Sequence, residues 1–284
     1  MSVIPCKVDP DTLKKVDEVA ETLKVKAHTL FPGTNERDFY DGGLFRGAIE
    51  RIRGQFSASM SDKRDFIKLI LNELQDQNLI QDWQSAGGSN RFDYSVKMAS
   101  GKIAVIELKG CLDGNNTTIF ERPPHAQEFV IWSVCQNPAA DPKRNAWSGI
   151  HTRLSAEIID KKKQVDGLVI WDMVCGTIGR PCPKIVASPE NLTIVGPYSL
   201  PPPCIYVFPA TIASPRNNPI AAPQSLESVE FLSALSTGFK GVAADCFGVQ
   251  FEAQNYGNSQ QRRTMIVRDG VPVMTSKWTT IKRS

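Results

Sequence analysis

Asp93, Glu107 and Lys109 are residue types suited to hydrolysis at phosphorus, and their spacing could bring them together. Residues 103–108 are apolar except for Glu107, the pattern of a strand buried on both faces. A carboxylate inside such a run needs a partner or a task, because an unpaired buried charge is expensive. The strand period of two puts Glu107 and Lys109 on one face, with Leu108 opposite. Ser100-Gly101-Lys102 reads as a turn, so residues 91–110 form a hairpin that folds Asp93 back toward Glu107. Asp93 and Glu107 would then hold a hard cation such as Mg²⁺ through oxygen ligands, and the cation would activate a bound water. Lys109 would orient that water or stabilise charge at phosphorus. The competing reading is an ordinary Glu-Lys pair on a strand beside an unrelated turn aspartate.

The arrangement D-x13-E-L-K on two hydrophobic strands resembles the catalytic core of the PD-(D/E)xK nucleases, and within them the type II restriction endonucleases. Phe92 stands where that family often has proline. The resemblance covers residues 44–172. It implies an α/β fold: a restriction-endonuclease-like core with a central mixed five-stranded sheet flanked by helices, plus C-terminal strands. It also implies Mg²⁺ as cofactor, double-stranded DNA as substrate, a homodimer, and metal ligation by Asp93 and Glu107. Residues 1–284 are expected as a single domain, with the core at about 44–175. Recognition and dimerisation elements would lie in 1–43 and 176–284.

The elements around the hairpin must position it. Residues 10–27 carry a partial apolar stripe and would pack on the core or a partner subunit, whereas 32–43 reads as a polar loop. In residues 44–56, Leu44, Phe45, Ala48, Ile49, Ile52 and Phe56 share a helix face, with Glu50 beside it. A second helix from about 61 to 79 carries Glu73 beside its seam. Within the resemblance either Glu50 or Glu73 could be an auxiliary acid; a surface Glu50 paired with Arg46 or Arg53 competes. Asn115 and Asn116 follow the proposed centre in a polar loop that could approach a phosphate backbone. Residues 125–135 read as a helix whose start places His125 as a phosphate contact. Lys143 and Arg144 precede a helix over 146–161 with Ile150, Leu154 and Ile158 inward. Residues 165–172 form an apolar strand that a crossover would set parallel to a neighbour.

Composition sets wider bounds. The 284 residues are 41% hydrophobic and 22% charged, ordinary for a globular chain. The net charge of +3 is too small to argue for nucleic acid by itself, but residues 261–284 hold six basic residues against Asp269 alone, +5. The seven cysteines are irregularly spaced, which argues against structural zinc and favours a reducing compartment. No signal-peptide core, membrane-spanning run or G-x-x-x-x-G-K-[ST] loop is present, so a cytoplasmic protein with no membrane and no nucleotide cofactor is expected. Short strands are expected over 192–195 and 205–210, a helix over 223–235, and strands at 242–244, 247–251, 264–268 and 271–278, with an Asp269-Gly270 turn. Gln254, Asn255, Asn258, Gln260, Gln261, Arg262 and Arg263 concentrate amides and guanidinium groups that can read base edges, in a stretch read as a loop.

These features favour a type II restriction endonuclease. The alternatives are a structure-specific repair or recombination nuclease of the same superfamily, and a non-catalytic DNA-binding protein.

Overall fold

The computed structural model describes residues 4–6, 8–56, 60–87, 91–110, 112, 119, 121–135 and 137–281. Helix α1 (Pro10–Lys26) starts where Asp9 accepts a hydrogen bond from the Thr12 N–H at 2.9 Å, with Pro10 in the first turn. It does not pack on the core: none of its residues is buried, and Val16, Val19 and Val25 stay exposed. The stretch read as a polar loop holds a short helix, α2 (Glu36–Tyr40), capped by Asn35. Helices α3 (Leu44–Phe56) and α4 (Met60–Asp76) lie where the apolar periodicity places them. Phe66, Ile67, Ile70, Leu71 and Leu74 of α4 are fully buried.

Strands β1 (Ile80–Ser85), β2 (Tyr94–Met98) and β3 (Ile103–Lys109) form an antiparallel meander. The β2–β3 turn uses Gly101 at φ +88°, a conformation that favours glycine. Residues read as a helix over 125–135 instead contain β4 (Glu128–Ser133), parallel to β3 and buried throughout. Helix α5 (Pro142–Ser148) continues in wider π-type turns through Gly149–Leu154 and Ala156–Asp160. Ile150, Leu154 and Ile158 point inward, as their spacing requires. A Cβ on Gly149 would stand 2.4 Å from the Leu112 Cβ, so the close approach of helix and crossover depends on glycine. Strand β5 (Gly167–Ile170) then joins parallel to β4.

Beyond it come α6 (Pro183–Ala187), the separate hairpin β6 (Thr193–Val195) and β7 (Tyr198–Leu200), and β8 (Cys204–Val207). Next are β9 (Ile220–Ala221) and α7 (Glu230–Gly238), which begins later than the proline-led reading of 223–235. Residues 243–245 form a 3₁₀ turn where a strand was expected. The chain ends in β10 (Cys246–Tyr256), β11 (Ser259–Arg268), β12 (Val271–Thr275) and β13 (Thr279–Thr280). Asp269 (φ 51°) and Gly270 (φ 76°) make the expected hairpin turn.

The C-terminal strands, expected in addition to a five-stranded core sheet, join that sheet and bring it to eleven strands among the described residues. Its order is β1-β2-β3-β4-β5-β8-β10-β11-β12, with β9 beside β10 and β13 beside β11. Helices cover both faces: α4 and α7 pack over one apolar core, and α5 with its continuation packs over the other. Among the described residues no helix is long and apolar enough to cross a membrane. Among the described residues five cysteines are free thiols, and Cys135 is disulfide-bonded.

Candidate active site

Alternation along β3 decides which side chains meet. Ala104, Ile106 and Leu108 face the α4 core, so Glu107 and Lys109 face the other side. Tyr94 is opposite Ile106, and the Asp93 N–H donates to the Ile106 carbonyl at 2.9 Å, which sets Asp93 beside Glu107. The Leu108 N–H donates to Asp93 Oδ2 at 2.8 Å. One oxygen of Asp93 is thus pinned to the backbone between Glu107 and Lys109. Lys109 Nζ donates to Glu107 Oε1. Glu107 Oε2 is buried and has no hydrogen-bond partner among the described residues.

Burial raises the Glu107 pKa above the ordinary glutamate range; the Lys109 hydrogen bond and charge hold that rise back. Lys163, ion-paired with Glu157 at 2.6 Å, adds a weaker attraction for the ionised form. A buried carboxylate oxygen without a partner, next to a second carboxylate, is chemically suited to a hard cation. Among the described residues no group of three His, Cys, Asp or Glu side chains is placed to hold a metal. Mg²⁺ in particular is commonly held by one or two carboxylates with water and substrate phosphate completing its shell.

The two candidate auxiliary acids are engaged by partners on their own helices. Glu50 is on an exposed face of α3, where Arg46 Nε donates to it at 3.0 Å. Glu73 sits late in α4 and accepts from Gln77 at 2.7 Å. The part of α4 that reaches the site is its first turns, where the Arg64 carbonyl accepts from Tyr94 OH at 3.2 Å. Nine residues of helix separate Arg64 from Glu73, about 14 Å. The α4 side chain that does approach is Lys63, which sequence reasoning missed. It is only 6% exposed, burial lowers its pKa, and Asp93 is the charge that opposes this. A signal existed: Lys63 lies four and seven residues before Ile67 and Ile70, on the buried stripe.

The proposed DNA contacts are dispersed. Asn115 and Asn116 lie outside the described residues. His125 is exposed in the turn before β4, its ring 5.9 Å from that of Phe92. Lys143 and Arg144 occupy the first turn of α5, where Asp141 accepts from both backbone N–H groups. The 254–263 stretch is a hairpin and not a loop: Gln254 pairs with Gln261, Asn255 with Gln260, and Gly257-Asn258 make the tip. Arg262 is buried and donates to Asp160 Oδ1 at 3.1 Å and the His151 carbonyl at 3.3 Å. It clamps the helix end and is removed from any base contact. Arg263 is held by Glu252 at 2.8 Å and lies over the Trp278 ring. Strand β11 is five positions from β3 in the sheet order, about 24 Å along the sheet.

Comparison with protein-family models, curated proteins and solved structures returned no match. The functional reading therefore rests on this chain's own geometry.

Proposed function

We propose that the chain is a Mg²⁺-dependent endonuclease with a PD-(D/E)xK-type core, acting on double-stranded DNA at a short specific site as a type II restriction endonuclease. The observation that carries the reading is the open oxygen: Glu107 Oε2, buried and unpartnered beside Asp93. In support, helix α4 is followed by the antiparallel β1–β2–β3 meander, which carries Asp93 beside β2 and Glu107 and Lys109 on β3.

Asp93 and Glu107 would hold the cation, which when bound supplies positive charge at the scissile phosphate and lowers the pKa of a coordinated water. Asp93 is prepositioned by the Leu108 N–H, so one of its oxygens is spoken for and the other is available. Lys109 sits against Glu107 and orients the attacking water by hydrogen bonding. Its ammonium would also stabilise negative charge growing on the non-bridging oxygens. The water oxygen forms a P–O bond as the opposite P–O ester bond breaks; the water proton passes to solvent, and solvent water protonates the departing oxygen. A homodimer would present two such sites to the two strands of a palindromic duplex.

Incubation with defined plasmids and Mg²⁺, followed by mapping of the ends, tests the reading. Discrete fragments are expected. Asp93→Ala and Lys109→Ala should each slow cleavage by about 10²–10³-fold or more, with duplex binding largely retained. Unaltered cleavage in both variants rejects the assignment, and nicks that follow DNA structure point to a repair or recombination nuclease.

A further inference from the structure

Lys63 is a buried lysine with nothing to hold. It is 6% exposed and makes no hydrogen bond or ion pair among the described residues. An unpaired ammonium in that setting is costly. Its position is well defined: the Tyr94 hydroxyl ties the Arg64 carbonyl to β2, and Lys63 Nζ lies 3.5 Å from where a Cβ on Gly110 would stand. Gly110 directly follows Lys109, so this ammonium closes the end of β3 from the α4 side. Asp93 is the acidic group that it faces, at more than ion-pair distance.

The two lysines are therefore not equivalent. Lys109 is matched by Glu107, whereas Lys63 is free to receive an incoming anion. The charges of Asp93, Glu107, Lys63 and Lys109 sum to zero. Without Lys63 the sum is −1, and the site would repel a phosphate before any cation arrived.

We propose that Lys63 is the phosphate anchor of this site, its ammonium donating to a non-bridging oxygen of the phosphodiester from the α4 side while Lys109 works from the sheet. The inference rests on the nuclease reading for the identity of the phosphate, but the anion site can be tested without it. In metal-free full-length protein, inorganic phosphate should shift, saturably, the lysine side-chain NMR signal that Lys63→Met removes. A signal unmoved by phosphate overturns the proposal, and this measurement needs only the wild-type fold. With Ca²⁺ in place of Mg²⁺, Lys63→Met should bind a short duplex about tenfold more weakly or worse, and Lys63→Arg should recover part of the loss. Unchanged duplex affinity in a folded Lys63→Met protein also overturns it. If wild type cuts no DNA yet its Lys63 signal still responds to phosphate, the nuclease reading fails and the anchor stands. If wild type cuts and Lys63→Met cuts equally well, the anchor alone fails.

Discussion

Parallel strands β3 and β5 each run into a buried carboxylate with a basic partner, and the two carboxylates are treated differently. Asp172, just past β5, is saturated: Oδ2 accepts from Arg180 Nη1 at 2.6 Å, and Oδ1 accepts from the Val174 N–H at 3.1 Å and the Cys175 thiol at 3.4 Å. Arg180 in turn donates to the Asn137 carbonyl at 2.7 Å, leaving only its Nε without a partner. This is a clamp that ties the segment after β5 to the segment after β4. Among the described residues Glu107 keeps one oxygen open, Asp93 has one oxygen fixed and one spare, and Lys63 lacks any pairing. Burial of charge alone does not separate a structural pair from a reactive one. What separates them is whether the hydrogen-bonding capacity is used up inside the chain.

The largest test of that contrast is to break the closed end. Arg180→Met strands Asp172 as an unpaired charge at 1% exposure, which should cost about 3–5 kcal/mol of stability. Urea denaturation measures this directly. A loss below about 1 kcal/mol would mean that the pair is no clamp and that the comparison fails on its structural side.

At the open end the same kind of change should affect activity more than stability. Glu107→Gln is expected to lower cleavage by about 10²–10³-fold with no loss of stability at neutral pH. The sign follows from burial. The folded protein holds the Glu107 proton more tightly than the unfolded chain does. That contribution is complete below the ordinary glutamate value of about 4.3 and is lost as pH rises through the raised folded value. Denaturation midpoints of wild type and Glu107→Gln, taken from acid to neutral pH, should therefore show wild type losing ground to the variant as pH rises. The opposite trend would mean that the attraction of Lys109 outweighs burial at Glu107 and that the carboxylate is not held open.

Much of this arrangement could be read in the chain, for reasons visible in particular residues. Glu107 within an apolar run, with Ser100-Gly101-Lys102 behind it, specifies both a buried strand and its turn. The stripe Ile150, Leu154 and Ile158 specifies the helix after β4. Strand β1 escaped because only Ile80 of its six residues is buried, leaving no alternation to detect. In β4 every residue is buried, so Glu128–Ser133 has no period, and the proline pair before it suggested a helix start. Arg262 was misplaced because side-chain type outweighed strand parity. Phe247, Val249, Phe251 and Ala253 mark the buried face of β10, and the register Ala253↔Arg262 carries Arg262 onto it. Lys63 was overlooked because a lysine near a helix start usually lies in solvent.

The smallest effect concerns acids that fall outside both ends. Glu50 is half-exposed and already paired with Arg46 one helical turn away, the geometry of a surface pair worth about 0.3–0.5 kcal/mol. Glu50→Ala should shift stability by no more than that and leave cleavage within about twofold, a rate change of about 0.4 kcal/mol. Glu73→Ala should behave alike, since its helix position puts it about 14 Å beyond the turn that touches β2. A loss of cleavage approaching that of Glu107→Gln in either variant would show that the helix bearing it moves against the sheet when DNA binds. It would also extend the open end beyond Asp93, Glu107, Lys109 and Lys63, since a third carboxylate would then share their ligand.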